Sequence, residues 1–512
     1  MQAVCCETDA RVLTKRVIEA LYAAGVRELC LCPGGRNASF VQALANEERV
    51  RCYFWPEERS AAFFALGRAR GSERPVAVVV TSGTAAGELL PAAMEARYSG
   101  APLLLVTADR PRRQRRSGAP QAALQEGLFG PYAATLDLEG EEKVDLKDWG
   151  GDGPLHLNVC LEEYYCREEP LPLELIEKER QKSALSASPE LLEGFLEEAE
   201  RPVAIVGTLP PEERMGAARF LEAAGMPVYL EGPSGLRGAP GLEKQRICHS
   251  ESVHDEDYDA VLRVGGVPTL RLWRDLEKME GKKRLFSVSS LPYPGVSWGA
   301  VAPIDLFAAE PKRFSCDRYS ALFARDKERR SRFQTLISEE PHSEPALVAK
   351  LSRLIPQEAL LYIGNSLPVR EWDMAAAGRH PQTFASRGLN GIDGQLSAFF
   401  GLCQKKGENW AVVGDLTALY DMAAPWILPQ LECGALRLVV INNSGGKLFS
   451  RLMKEPVHQN SHSLNFRPLA EMWGLCYQKW EEIPEAPPPA PSLIELLPDN
   501  SASERFWSAW RG

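Results

Sequence analysis

The apolar positions of this chain alternate between two rhythms. Runs of consecutive apolar residues, as in "VRELCLC", "PVAVVVT", "APLLLVTADR" and "GPLHLNVCL", read as strands buried on both faces. Between them, "TKRVIEALYAAG", "ERSAAFFALGRARG" and "GTAAGELLPAAMEARYSG" carry apolar residues at helical spacing, the first stopped by a glycine. Short buried strands alternating with helices predict a parallel sheet covered on both sides. The same rhythm returns in "PVAIVGTL", "PVYLEG", "DAVLRVGG" and "RLFSVSS", and again in "ALLYIGNS", "QTFASRG", "WAVVGD", "LRLVVINN" and "SLIELL". A charged link, "PLELIEKERQKSALSASPE", separates the first two blocks, and the proline-rich "PEAPPPAP" reads as an extended segment before the last strand. The expected fold class is α/β, with three doubly wound parallel-sheet domains over residues 1–175, 186–335 and 343–512. Blocks one and three share a plan, since their strands end in small or polar residues where open α/β sheets bind ligands. Block two has glycine-ended strands but no GxGxxG at a strand–helix turn, so a dinucleotide reading is weak there.

Composition narrows the function classes. A chain of 512 residues, 45% apolar and 25% charged, is long enough for about three globular domains. Its net charge of −10 argues against nucleic acid or an anionic membrane surface as partner. No apolar run approaches the roughly 18 residues of a membrane span, and the N-terminus lacks the charged-then-apolar order of a signal peptide. The 12 cysteines are scattered, and the Cys30/Cys32 pair has no second pair or nearby histidine to complete a metal site. Buried free thiols in a reducing cytoplasm are the expectation.

One corner points to chemistry. Asp415 directly follows the strand of "WAVVGD", and Asn443 lies 443 − 415 = 28 residues later in "VVINNSGG", with "TALYDMAAPWILPQL" between them as one crossover helix. Adjacent parallel strands joined in this way end at the same sheet edge, so the two side chains can meet. A carboxylate and an amide oxygen are hard ligands, suited to Mg²⁺ or Ca²⁺. A helix starting near Thr417 offers free N–H groups to phosphates. The alternative is two unrelated strand ends, because Asp and Asn are common turn formers. A second GDG, Gly151–Gly153, precedes a strand instead of following one and reads as a turn.

The GD…NN spacing resembles the thiamine-diphosphate signature. With "CPGGR", "PEERSAAFFALG", "TSGTAAGELLPAAMEA", "PLLLVTADRP", "GAPQ", "GNSLPVREWD", "SRGLNGIDGQLSAFFG" and "NNSGGKLF" in order, the chain resembles the 2-succinyl-5-enolpyruvyl-6-hydroxy-3-cyclohexene-1-carboxylate synthases of menaquinone biosynthesis. The likeness covers most of blocks one and three and is thin in the middle. It implies a pyrimidine-binding domain, a central domain and a diphosphate-binding domain, and a homodimer or tetramer with each cofactor between subunits. The implied cofactors are thiamine diphosphate and Mg²⁺ or Mn²⁺. The implied reaction decarboxylates 2-oxoglutarate and adds the succinyl semialdehyde unit to isochorismate.

The resemblance also assigns residues. Of the adjacent Glu57 and Glu58, the family pattern selects Glu58 as the carboxylate that protonates the cofactor's pyrimidine ring; read alone, the pair is also a plausible solvated helix start. Asp415, Asn443 and the Gly445 carbonyl are the implied metal ligands, with Asn442 structural. Ser366, Gly391, Ile392, Gly414, Leu416, Thr417, Leu448 and Phe449 fall at cofactor-contacting positions, and Ile392 is the bulky residue that holds the cofactor bent. Both substrates are dicarboxylates, which calls for arginine. Arg36, Arg110, Arg370 and Arg387 fit, with Gln121 and Ser366, and Arg271 stands for a basic residue of the central domain. Leu448, Phe449 and Leu452 wall the substrate pocket. The run "RPRRQRR" reads as a mobile anion-binding loop, because the chain is acidic and the run lacks interleaved aromatics. Three positions depart from the family pattern: Gly35 for serine, Glu88 for asparagine and Pro120 for asparagine. Another thiamine-diphosphate decarboxylase and an inactive homologue remain alternatives, and the arginine set and Glu58 respectively discriminate against them.

Overall fold

The computed structural model describes residues 2–162, 172–177, 189–306, 309–450, 453 and 455–511, with residues 2–9 and 450 by backbone only. Among them are three six-stranded sheets, and every described strand pair is parallel. The first contains β1 (Glu28–Leu31), β2 (Arg51–Phe54), β3 (Val76–Val80), β4 (Leu103–Asp109), β5 (Ala134–Glu139) and β6 (Leu155–Cys160), in the order β2-β1-β3-β4-β6-β5. The second contains β7 (Pro202–Val206), β8 (Val228–Leu230), β9 (Arg246–Ile247), β10 (Ala260–Val264), β11 (Arg284–Val288) and β12 (Ala300–Ala302), ordered β12-β11-β10-β7-β8-β9. The third contains β13 (Leu360–Ile363), β14 (Thr383–Phe384), β15 (Glu408–Gly414), β16 (Ala435–Ile441), β17 (Cys476–Trp480) and β18 (Ser492–Leu496), ordered β14-β13-β15-β16-β18-β17. Strand for strand, the third sheet repeats the order of the first, which is the shared plan expected of blocks one and three.

The central strands are mostly apolar because helices cover both faces. All five residues of β3 and all seven of β4 are buried. Each fully buried Val or Leu contributes roughly 1.5–3 kcal/mol of transfer free energy. The second sheet has the doubly wound order of dinucleotide-binding folds, read from the other edge. Its switch point, between β7 and β10, is closed by main chain. Gly207 N donates to Val264 O at 3.0 Å and Gly266 N to Thr208 O at 2.8 Å. A Cβ on Gly207 would stand 2.2 Å from the Gly266 carbonyl oxygen.

Packing groups the chain into two compact units. One comprises 1–183 with 393–403 and 420–432, and the other comprises 184–392 with 404–419 and 433–512. In the first, the helix Gln395–Leu402 packs on the helix Glu58–Ser72. Two helix expectations need correction. "TALYDMAAPWILPQL" is a short helix, Asp415–Tyr420, followed by a 3₁₀ segment, Ala424–Gln430, because Pro425 and Pro429 interrupt the α-helical ladder. "GTAAGELLPAAMEARYSG" is split into Thr84–Gly87 and Leu90–Ser99, with Pro91 in the first turn of the second piece. No helix among the described residues is long and apolar enough to cross a membrane.

Candidate active site

In the second unit, β15 and β16 run parallel with Gly414 opposite Ile441, so Asp415 and the turn Asn442–Gly445 leave the same edge. Asp415 is buried, and its Oδ1 accepts from Leu416 N at 2.7 Å while its Oδ2 accepts from Gly445 N at 2.8 Å. Burial pushes its carboxyl upward in pKa, opposed by those two amides and by His462. His462 Nε2 lies 3.2 Å from Asp415 Oδ2. Asn443, also buried, donates its Nδ2 to Glu344 Oε2 at 2.8 Å, and its Oδ1 has no hydrogen-bond partner among the described residues. A buried carboxylate beside an unsatisfied buried amide oxygen is the donor set a hard cation completes, so the corner fits Mg²⁺. Among the described residues, no group of three or more His, Cys, Asp or Glu side chains converges to hold a metal by itself. An ion here therefore draws the rest of its oxygens from main chain, water or a phosphorylated ligand.

The surrounding turn is shaped for this edge. Ser444 has φ of 67° and Gly445 φ of 130°, where a Cβ would meet Gln459 O at 2.5 Å. The Gly445 carbonyl accepts from Lys447 N at 2.9 Å, which leaves one of its lone pairs. Asn442 is structural: its Nδ2 donates to Leu464 O and Glu495 Oε1. Gly414 and Leu416 are half-buried and Thr417 is buried at the start of the Asp415–Tyr420 helix. Leu448 is half-buried and Phe449 exposed in the helix Lys447–Ser450, and Leu452 lies outside the described residues.

The same unit gathers cations at the ends of β13 and β14. Arg387, buried, donates Nη1 to Asn365 Oδ1 at 2.8 Å and Nη2 to Thr269 Oγ1, while its Nε has no partner among the described residues. Asn365 donates to the carbonyls of Ser386 and Gly391, which ties Arg387 to the loop that ends in the half-buried Ile392. Ser366 takes φ of 70° at the start of the helix Leu367–Ala375, and Arg370, one turn in, donates to the Ser366 carbonyl at 2.5 Å. Partial burial lowers the Arg370 pKa, followed by the nearby cations Arg387 and Arg274. Arg271 points elsewhere: its side chain is 81% exposed and pairs with Asp275 at 3.5 Å. Arg274, three residues on, is the cation of that segment whose charge, after that of Arg387, acts on Arg370. Beneath them, Glu231 is fully buried and accepts from Thr269 N at 3.0 Å; burial pushes its pKa up to about 7 despite Arg387.

In the first unit, Glu57 and Glu58 fall on either side of a helix start. Glu57 is the N-cap, accepting from Arg59 N and Ser60 N at 2.9 Å each. Glu58 opens the helix, half-buried, and its carboxyl is raised in pKa by burial and by the charges of Glu57 and Glu88. The departure at Glu88 therefore acts on Glu58. Asp421, fully buried, accepts from Ser397 N, Ser397 Oγ and Ser60 Oγ, which pins the start of this helix to that of Gln395–Leu402.

The remaining arginines divide. Arg36 donates to Leu161 O at 3.0 Å from a turn wound on buried Asn37, and the open position at Gly35 has nothing within 4 Å of a Cβ. Arg110 donates Nε and Nη2 to Pro120 O at 3.0 and 2.6 Å, next to the exposed, left-handed Gln121. The reading of "RPRRQRR" as an anion-binding loop is corrected for three members. Arg112 pairs with Asp137 and Glu142, Arg113 with Glu162, and Arg115 with Glu126 and Asp137. Those guanidiniums are already neutralised by carboxylates on β5 and the flanking loops. Glu344, Asn365, Asp421 and Glu231 carry site contacts that the sequence reading missed. Glu231 and Asn365 lie just past the ends of β8 and β13, within the quoted "PVYLEG" and "GNSLPVREWD", and Asp421 lies within "TALYDMAAPWILPQL", whereas Glu344 opens a helix away from any strand end.

Known proteins resemble this chain over most of its length. Residues 11–128 match the model of the thiamine pyrophosphate enzyme N-terminal TPP-binding domain. The chain is 38% identical to the 2-succinyl-5-enolpyruvyl-6-hydroxy-3-cyclohexene-1-carboxylate synthase of Bdellovibrio bacteriovorus, over 97% of this chain and 98% of that one. The protein of the same name from Akkermansia muciniphila is 37% identical over 96% and 97%, and that of Roseiflexus sp. is 30% identical over 90% and 89%. An X-ray structure from Mycobacterium smegmatis, described as a thiamin diphosphate-dependent enzyme, superposes with a TM-score of 0.70 over 95% of this chain and 99% of its own at 15% identity, which supports the fold. With near full-length identity well above the level at which family is in question, the chain belongs to the 2-succinyl-5-enolpyruvyl-6-hydroxy-3-cyclohexene-1-carboxylate synthase family of thiamine pyrophosphate enzymes.

Proposed function

We propose that this enzyme decarboxylates 2-oxoglutarate and joins the resulting four-carbon unit to isochorismate, releasing CO₂ and forming the product for which its relatives are named. The kinship over nearly the whole chain carries this reading. When bound, thiamine diphosphate supplies the carbon that attacks the 2-oxo group and holds the electrons left by CO₂. The protein's own residues do the rest. Asp415, Asn443 and the remaining lone pair of the Gly445 carbonyl would hold Mg²⁺, or Mn²⁺ in its place, which would supply positive charge for the cofactor's diphosphate. The Glu58 carboxyl, raised in pKa by burial, would exchange a proton with the pyrimidine ring nitrogen. Ile392 and Gly391 position the cofactor with Ser366, Gly414, Leu416 and Thr417, and Leu448 and Phe449 line the cavity.

The dicarboxylate substrates call on the cations and amide that each unit offers, Arg36, Arg110 and Gln121 in the first and Arg370 and Arg387 in the second. Sheet one acts as the pyrimidine-binding part and sheet three as the diphosphate-binding part, in a cytoplasmic homodimer or tetramer whose cofactors lie between subunits.

The test is the isosteric Glu58→Gln. General acid–base contributions run to about 10²–10⁴-fold, so isochorismate consumption with 2-oxoglutarate, Mg²⁺ and cofactor present falls by at least about 10²-fold while the Tm stays within a few degrees. Turnover near the wild-type rate rejects the role of Glu58. Decarboxylation that ignores isochorismate in the wild type rejects the acceptor.

A further inference from the structure

An asparagine amide has two ends of nearly equal size, and only the oxygen can bind a cation. We infer that Glu344 is the positioning residue that fixes which end of Asn443 faces the ion, an inference that rests on the reading of Asn443 as a metal ligand. Glu344 lies 99 residues before Asn443 and is 3% exposed at the first position of the helix Glu344–Leu354. Its Oε2 stands 2.8 Å from Asn443 Nδ2. A carboxylate accepts and does not donate, so the end of the amide against it is the NH₂. The oxygen then points away, and it is that oxygen which is buried without a hydrogen-bond partner among the described residues.

Glu344 is itself held from several sides. Its main-chain N donates to Ser503 Oγ at 2.9 Å, and Ser343 caps its helix by accepting from Ala346 N. Asn500 Nδ2 donates to the Asn443 carbonyl at 3.2 Å, so the ligand's backbone is fixed by the same C-terminal helix, Asn500–Arg511, that anchors Glu344. The negative charge behind the NH₂ also polarises the amide and strengthens its oxygen as a donor to the ion. Partners of this kind, one bond removed from a metal, typically change affinity by about 10–100-fold. A helix-start acid with only a structural task would alter melting and leave cation affinity alone.

The probe is Mn²⁺ with thiamine diphosphate present, with free Mn²⁺ read by its paramagnetic resonance signal. Glu344→Met removes the acceptor, and binding weakens by about 10-fold. Glu344→Gln, whose carbonyl still accepts, weakens it less. In an Asn443→Asp background both ligand ends are oxygen, so Glu344→Met no longer weakens binding. A Glu344→Met protein that binds within twofold of wild type overturns the inference, as does an equal loss in both backgrounds. Melting curves confirm that each variant is folded, and the Asn443→Asp comparison stands if Glu344→Met melts early. Asn443→Ala separates the two readings. Unchanged Mn²⁺ binding there defeats the metal corner itself, whereas weakened binding there with Glu344→Met unaffected defeats only the role of Glu344.

Discussion

Gly83 has φ of +85°, and a Cβ placed on it would stand 3.2 Å from the Gln121 Cα and 3.3 Å from its Cβ. Its amide donates to Gln125 Oε1 at 2.9 Å. Gln125 is fully buried and reaches Asn158 Oδ1, so one residue couples the end of β3 to the loop that presents Gln121 and Arg110. Gly83→Ala forces alanine into a backbone conformation, φ +85° and ψ −132°, that glycine alone takes readily, at about 1–3 kcal/mol, and pushes on the Gln121 backbone. The expected result is a KM for isochorismate raised several-fold with a smaller change in kcat, measured by steady-state kinetics. An unchanged KM would detach Gly83 from the substrate loop. The neighbouring glutamates show what the sequence made legible at this scale. The family pattern singles out Glu58, and the two residues do differ, Glu57 capping the helix from an extended conformation and Glu58 opening it with a raised pKa. Glu344 was not legible, because its meeting with Asn443 depends on a fold contact across 99 residues that no local pattern encodes.

Elements were legible in proportion to their burial. The five strands absent from the apolar-run reading are β2, β5, β9, β12 and β17, and every one lies at a sheet edge. An edge strand is covered less, so it is shorter or carries polar residues: β9 has two residues, and "CYQKW" in β17 keeps one of five buried. Contacts between helices were invisible for a different reason, since glycine in a helix reads as a weakness until its neighbour is known. On the helix Glu58–Ser72, a Cβ at Gly67 would stand 2.1 Å from the Ala398 carbonyl oxygen, and one at Gly401 of the facing helix 2.3 Å from Phe64 O. Gly67→Ala therefore forces the helices apart. Overpacking of this kind costs about 1–3 kcal/mol, a Tm loss of roughly 3–10 °C for a unit of this size. Gly71→Ala, on the same helix, meets Leu402 Cδ2 at an ordinary 3.5 Å and serves as the comparison. Its Tm should hold or rise through better helix propensity. Equal losses at both positions would show that the close crossing is not what demands glycine.

At the scale of the whole molecule, net charge and composition narrow the expected partners but say nothing of how the two compact units respond to pH. Each unit buries a titrating group, and the two respond to acid in opposite directions. In the first, His156 lies between Thr107 and Thr135, and burial lowers its pKa to about 3, with Asp137 opposing. The unfolded chain takes up this proton near pH 6.5 and the folded chain does not, so His156 removes stability as pH falls below 6.5, amounting to about 2 kcal/mol by pH 5. In the second, Glu231 faces Arg387, Asp373 and Arg237, and burial raises its pKa to about 7. Here the unfolded chain loses its proton first, near pH 4.5. Glu231 therefore lowers stability as pH rises from 4.5 through 7, and a shift from pH 7.5 to 5 recovers about 2 kcal/mol. The difference between wild type and variant isolates each group from the other carboxylates. For His156→Gln, the variant's stability relative to wild type should rise as pH falls from 7.5 to 5, read by hydrogen exchange in peptides of β6 after correction for intrinsic rates. For Glu231→Gln, the relative stability of β8 peptides should fall over the same interval. Parallel pH curves for wild type and variant, in either unit, would show that the buried group keeps an ordinary affinity for its proton.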